Sequence, residues 1–261
     1  MNIACVQMYC RFGEVDTNLE NATALIESVE ADLYVLPELF NTGYLFQSEH
    51  EINRLAEPAN GKTAEVLTQV ANARQAWIVA GFAEKYNNAI YNSAMLVGPR
   101  GLVDIYRKAH LFDTEKLWFT PGDKSLFVVD VGVAKLGLMI CFDWIFPESM
   151  RSLALLGADI VCHPSNLVMP YCQKAMVTRC LENQVYAITA NRSGADRRPD
   201  AEIAFTGQSQ ITAPRGEILA SATEFEETVL VADINVQEAR DKHINPRNDL
   251  FGDRRPDVYA L

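Results

Sequence analysis

Short apolar runs that stop abruptly at charged or reactive residues recur along this chain, separated by stretches whose apolar positions return every three to four residues. Residues 3–8, apolar except for Gln7, read as a first buried strand. Residues 19–29 place Leu19, Ala22, Ile26 and Val29 on one helical face, with Asp16 or Thr17 as the expected cap. A second short strand covers 33–36 and runs into a loop over 38–44; a helix follows at 63–74, introduced by Gly61. Strands are predicted at 77–82 and 93–97, the latter turning at Gly98-Pro-Arg-Gly101 into 102–106.

The second half repeats the theme. Strands at 126–131 and 135–140 lead to Cys141, a helix over 148–156 stops at Gly157, and a strand at 159–162 runs into His163-Pro-Ser-Asn166. A helix over 175–183 and a strand over 185–190 come next. Residues 209–212, the turn Ala213-Pro-Arg-Gly216 and residues 217–220 echo the hairpin at 93–105, down to the shared Pro-Arg-Gly. Each half then supplies helices and a hairpin-rich sheet, and two such sheets with helices outside bury their faces on each other. The last strand is 229–234; the charged tail 237–261 shows no core face and is expected to wrap a neighbour or a partner subunit.

Composition narrows the class. With 261 residues, 49% of them hydrophobic, and no Pro/Ser/Gly-rich linker, residues 1–261 read as a single domain with ample core material. The formal charge of −11 argues against nucleic acid or an anionic membrane as a partner. The N-terminus shows no basic region followed by an apolar one, and no run approaches the roughly 20 apolar residues of a membrane span, so a soluble cytoplasmic protein is expected. Six cysteines stand at 5, 10, 141, 162, 172 and 180 without a Cys-x-x-Cys pair, and five of them read as structural thiols.

Candidate chemistry gathers at three run ends. Glu38 follows Leu-Tyr-Val-Leu-Pro, Lys108 follows an alternating strand, and Cys141 closes Leu-Gly-Leu-Met-Ile just before Phe-Asp-Trp. Singly, each is also what a loop carboxylate, a surface lysine or an inert buried thiol looks like. Together they form a complementary set, because functional groups collect beyond strand ends in α/β sheets. A thiol becomes a good nucleophile only when ionised; Lys108 offers the charge that favours the thiolate, and Glu38 a place for the proton. A Cys–His arrangement with His110 or His163 as base is the main rival. No His-Glu-x-x-His, paired-cysteine or glycine-rich phosphate motif is present, so a metal or nucleotide site has no support.

Leu36-Pro37-Glu38-Leu39-Phe40 with Gly43-Tyr44, then Tyr106-Arg-Lys108-Ala-His-Leu-Phe112 with Phe119-Thr-Pro-Gly-Asp123, then Ile140-Cys141-Phe-Asp-Trp144 with Phe146-Pro-Glu148, resemble the nitrilase (carbon–nitrogen hydrolase) superfamily. The resemblance extends through His163-Pro-Ser-Asn166, Arg179-x-x-Glu182-Asn183 and Ala190-Asn191-Arg192. It implies an α/β fold of four layers, an α-β-β-α sandwich, in a homodimer or higher homo-oligomer. It also implies Glu38 as general base, Lys108 as oxyanion-stabilising ammonium, Cys141 as nucleophile and Glu115 as a second, orienting glutamate. The Phe142 N–H would share the oxyanion, and no metal or organic cofactor is required. Tyr44, Trp144 and Asn166, with Met169 and Tyr171, fall near the implied site. No arginine follows Cys141 to clamp a substrate carboxylate. Asp143 or Glu148 would suit a basic N-carbamoyl amine. A small aliphatic amide is the preferred substrate, with a small nitrile as the alternative; a non-catalytic protein keeping the fold, or an acyltransferase, is the reading outside this set.

Overall fold

The computed structural model describes residues 1–259. The chain opens with β1 (Asn2–Gln7), α1 (Val15–Glu27), β2 (Leu33–Val35), α2 (Glu49–Leu55) and α3 (Lys62–Arg74). Then come β3 (Trp77–Tyr86), β4 (Ala89–Gly98), β5 (Gly101–Arg107) and the single turn α4 (Glu115–Trp118). The second half holds β6 (Val128–Asp130), β7 (Lys135–Leu138), a 3-10 helix at Cys141–Ile145, α5 (Pro147–Leu155), β8 (Ile160–Ser165), α6 (Cys172–Asn183) and β9 (Tyr186–Asn191). It closes with β10 (Ala195–Arg198), β11 (Ala201–Ala204), β12 (Gln210–Thr212), β13 (Ile218–Ser221), β14 (Thr228–Asp233), α7 (Gln237–Arg240), β15 (His243–Asn245) and β16 (Asn248–Asp249).

Two six-stranded mixed sheets result, ordered β14-β1-β2-β3-β4-β5 and β13-β12-β9-β8-β7-β6. Read from opposite ends they are the same arrangement: three parallel strands flanked on one side by a hairpin and on the other by one antiparallel strand. The repeated Pro-Arg-Gly sits in both hairpins, and Gly101 (φ 120°) and Gly216 (φ 86°) take the left-handed backbone that a residue with a Cβ resists. This is the physical content of the sequence echo.

Alternation along the strands sorts side chains into layers. In β1 and β2, Ile3, Cys5, Leu33 and Val35 join Leu136, Leu138, Ile160, Cys162 and Ile188 of the other sheet in one core. Their neighbours Ala4, Val6 and Tyr34 pack instead with Leu19, Ala22 and Ile26 of α1 and Leu67, Val70 and Ala71 of α3. Both faces of each central strand are therefore dry, which is why the runs read as apolar throughout. With α5 and α6 covering the second sheet, the chain is a four-layer α-β-β-α sandwich.

Several expected boundaries shift. α1 begins at Val15, so Asp16 and Thr17 lie inside its first turn, and no side chain caps it. The strand expected at 159–162 continues through His163, Pro164 and Ser165, all buried. α2 and the β10–β11 hairpin are additional elements with weak apolar patterning. The start of the tail packs on its own chain: Ala239 is buried, the Arg240 guanidinium pairs with Asp159 at 2.9 Å, and the Lys242 ammonium donates to the carbonyls of Asn183 (3.0 Å) and Gln184 (2.7 Å) at the end of α6. Among the described residues no helix is long and apolar enough to cross a membrane.

Candidate active site

Glu38 is held by backbone on both sides. Pairing with β3 carries on past β2, with Leu36 N–H bonded to Val79 O, Gly81 N–H to Pro37 O and Phe40 N–H to Gly81 O. Gly81 makes this possible, since a Cβ there would lie 2.4 Å from Glu38 Cα. Leu39 takes φ 47°, a strained value for a residue with a side chain, and it turns the chain immediately after the acid.

Lys108 leaves the end of β5. Its own N–H donates to Asn92 O at 2.8 Å, and Gly122 N–H donates to Lys108 O at 2.8 Å. A Cβ on Gly122 would fall 2.2 Å from Arg107 O, so the Phe-Thr-Pro-Gly segment can lie against this strand end only through glycine. The Lys108 ammonium donates to Glu38 Oε1 and to Glu115 Oε1, each at 2.7 Å, with all three side chains buried. Tyr44 Oη donates to the same Glu115 oxygen at 2.7 Å, and Phe112 N–H reaches Glu115 Oε2 at 3.3 Å. The loop bearing Tyr44 is tied to the β10–β11 hairpin that follows β9, because Asp196 accepts the N–H groups of Tyr44 (2.7 Å) and Leu45 (3.0 Å) while pairing with buried Arg192 at 2.8 Å.

Cys141 sits at a sharp bend. It opens the 3-10 helix with φ 39°, a left-handed value that only a strongly determined surrounding sustains. Asp143, fully buried, supplies much of that determination: it accepts from Ile140 N–H and Tyr106 Oη at 2.8 Å each, and from His110 N–H at 3.1 Å. His163 Nε2 lies 2.9 Å from the Cys141 carbonyl oxygen.

Charge and burial set the protonation. Desolvation, then the Glu38 charge, push the Cys141 thiol well up, against the opposing pull of Lys108 and the Asn166 N–H, so the resting sulfur is a neutral thiol. Burial raises Glu38, with Lys108 and Asn92 counteracting. Burial alone would lower the Lys108 ammonium; Glu115 and Glu38 reverse this and hold it charged. Tyr44, buried beside Glu115, stays a phenol. Burial lowers His163 to about 4, so it is a neutral imidazole facing a carbonyl rather than the sulfur.

The structure thus brings Glu38, Lys108 and Glu115 into direct contact, with Cys141 within reach of their charges. A narrow cleft lies over the sulfur, and its wall includes Phe142, Trp144, Asn166 and Met169 together with Phe112 and Leu167. Tyr44 is not part of that wall; it acts on Glu115. Tyr171 is 61% exposed and also lies outside it. Asp143 is committed to four backbone and side-chain donors, Glu148 is exposed, and neither is part of the cleft wall. His110 stacks on Phe146 and bonds to Asp143, so neither histidine of the rival arrangement contacts the sulfur. Sequence reasoning missed Asn92, whose amide donates to Glu38 Oε1 at 2.7 Å; a polar residue inside the apolar strand β4 is the signal that was there to read. No group of three His, Cys, Asp or Glu side chains among the described residues could hold a metal ion.

The carbon-nitrogen hydrolase family model matches residues 2–243. A nitrilase of Pyrococcus abyssi is 48% identical over 263 residues, covering 99% of either chain. An (R)-stereoselective amidase of a Pseudomonas species is 36% identical over 227 residues, covering 85% of this chain and 81% of that one. The crystal structure of a carbon-nitrogen hydrolase from Helicobacter pylori G27 superposes with a TM-score of 0.90 at 28% identity, covering 99% of this chain and 96% of that one.

Proposed function

The chain belongs to the carbon–nitrogen hydrolase family, a hydrolase acting on C–N bonds, and on that premise we propose that it cleaves a small, uncharged aliphatic amide to acid and ammonia through a thioester on Cys141. One observation carries this reading. In a wholly buried cluster beside the thiol, Glu38 Oε2 meets no hydrogen-bond partner among the described residues, and two of the three Lys108 protons are engaged. The cluster therefore presents one free acceptor and one free donor, the pair that amide hydrolysis uses.

Glu38 Oε2 takes the Cys141 proton as the sulfur attacks the amide carbon. The remaining Lys108 N–H and the N–H of Phe142, in the first turn of the 3-10 helix where no helical acceptor exists, stabilise the developing oxyanion. Each such donor contributes about 3–4 kcal/mol. Glu38 passes the proton to the departing nitrogen, ammonia leaves, and the thioester remains. Glu38 then takes a proton from water, hydroxide attacks the thioester, and the acid leaves as the thiol is restored. Glu115 and Tyr44 hold the ammonium in place from the far side.

The cleft wall supports the substrate class. Its side chains are apolar or uncharged, so neither a carboxylate nor a cationic amine finds a partner there, which weighs against N-carbamoyl amino acids and N-carbamoyl amines. The Asn166 amide, 2% exposed with neither Oδ1 nor Nδ2 bonded within the protein, is the polar handle for the substrate nitrogen and oxygen. A small nitrile, processed through a thioimidate, is the second reading, supported by the name of the 48% identical relative. Ammonia release from matched amide and nitrile pairs decides between them, with Cys141→Ala as control; ammonia released by that variant would refute the assignment altogether.

A further inference from the structure

We propose that Asn92 is a positioning residue that divides the work between the two oxygens of Glu38, tying down Oε1 so that Oε2 alone receives the proton. The assignment rests on Glu38 being the base. Asn92 lies in β4, fully buried, and touches both partners of the central ion pair: its Nδ2 donates to Glu38 Oε1 at 2.7 Å, and its carbonyl accepts the Lys108 N–H at 2.8 Å. One residue thereby fixes the acid against the amine. Glu38 Oε1 carries two donors, from Asn92 and Lys108, while Oε2 carries none among the described residues. A carboxylate with one oxygen saturated cannot swing, and its second lone-pair set keeps one direction.

The other end of the Asn92 amide makes the same point. Its Oδ1 is buried and meets no partner among the described residues, so this side chain is not there to satisfy a polar neighbour on that face. An apolar residue of equal size would fill the place without an orphaned oxygen. The useful group is the NH2, and it faces Glu38. In the transfer, the S–H bond of Cys141 breaks, its electron pair goes to the new S–C bond, and the proton forms an O–H bond at Oε2. The charges that bear on Glu38 from the elements around it are Lys108 after β5 and Glu115 in α4, with the Cys141 sulfur across the cleft.

The test is the pH dependence of kcat/KM in Asn92→Leu and Asn92→Asp, with Glu38→Gln alongside, all on the full chain. Losing the amide donor moves the acid limb up by about one pH unit, which is about tenfold in rate at a fixed pH on that limb. KM changes by less than about threefold, and the loss recovers toward the alkaline plateau. Asn92→Asp, nearly the same size, moves the limb further because it sets a second carboxylate beside Glu38; it decides the matter if Asn92→Leu is not recovered folded. A loss that is independent of pH, or that resides in KM, overturns the role of Asn92. Activity retained in Glu38→Gln would instead remove the base beneath it, so the two failures are told apart.

Discussion

Glu38 and Lys108 stand 70 residues apart in the chain and meet at 2.7 Å with neither side chain exposed. Neither charge has water to fall back on: Lys108 holds Glu38 as an anion, and Glu115 together with Glu38 holds Lys108 as a cation. Lys108→Met leaves two buried carboxylates facing each other across the vacated ammonium. It is expected to destabilise the protein by about 3–5 kcal/mol and to abolish turnover. Adding Glu38→Gln to that variant restores part of the stability and none of the activity, as urea unfolding and an ammonia assay would show. Equal stability of the single and double variants would mean the two charges are not coupled.

Of the six cysteines, only Cys141 should react with iodoacetamide near neutral pH. The other five are completely buried; desolvation holds Cys10 up at about 12, pushes Cys5, Cys162 and Cys180 higher still, and raises Cys172 well above the ordinary thiol range. Cys141 shares a high resting value but opens on the cleft and has an adjacent base. Mass spectrometry should find one modified thiol per chain, with labelling slowed at least tenfold in Glu38→Gln, a factor typical of a lost general base. Uniform slow labelling of all six would contradict the proposed chemistry.

His163 predicts how stability responds to acid. The fold holds it at about 4 against an ordinary 6.5, so below 6.5 the unfolded chain binds the proton more readily than the folded one. Its contribution is complete above pH 6.5 and drains away as pH falls toward 4, to a total of about 3 kcal/mol. His163→Gln, which can still donate to the Cys141 carbonyl, should lower stability at neutral pH yet flatten the decline over this window. Denaturant unfolding at a series of pH values measures it; parallel curves for the two proteins would dismiss the assignment.

Gly81 tests the positioning of the acid through backbone alone. Gly81→Ala drives a methyl to 2.4 Å from Glu38 Cα, where no flexible side chain can yield. A loss of about 1–3 kcal/mol in stability is expected from overpacking. The rate should suffer disproportionately, by about 100-fold, because a displacement near 1 Å at the base is enough for that. A variant that unfolds more easily but turns over normally would show that Glu38 tolerates the shift.

What the sequence revealed follows from range. Buried strands announce themselves because both faces are dry, and the hairpins because glycine must take a left-handed turn at Gly101 and Gly216. Glu38, Lys108 and Cys141 were legible as reactive residues at run ends. Asn92 was not singled out, because its value depends on Glu38, 54 positions away, and no local pattern reports that. Tyr44 looked like a pocket aromatic, but its hydroxyl finds Glu115, 71 residues on. The starts of α1 and α6 escaped for another reason: neither carries a side-chain cap, so the usual punctuation is missing.

The carboxylates and the ammonium arise from loops of the first sheet, and the sulfur from the second. The acid and the amine include no nucleophile of their own, and because β14 completes the first sheet and the two sheets share one core, these groups converge only when both sheets are in place. The nucleophile arrives with the second sheet, and reactivity switches on at docking rather than accumulating piece by piece. A nascent or half-folded molecule is thereby spared a loose, activated thiol.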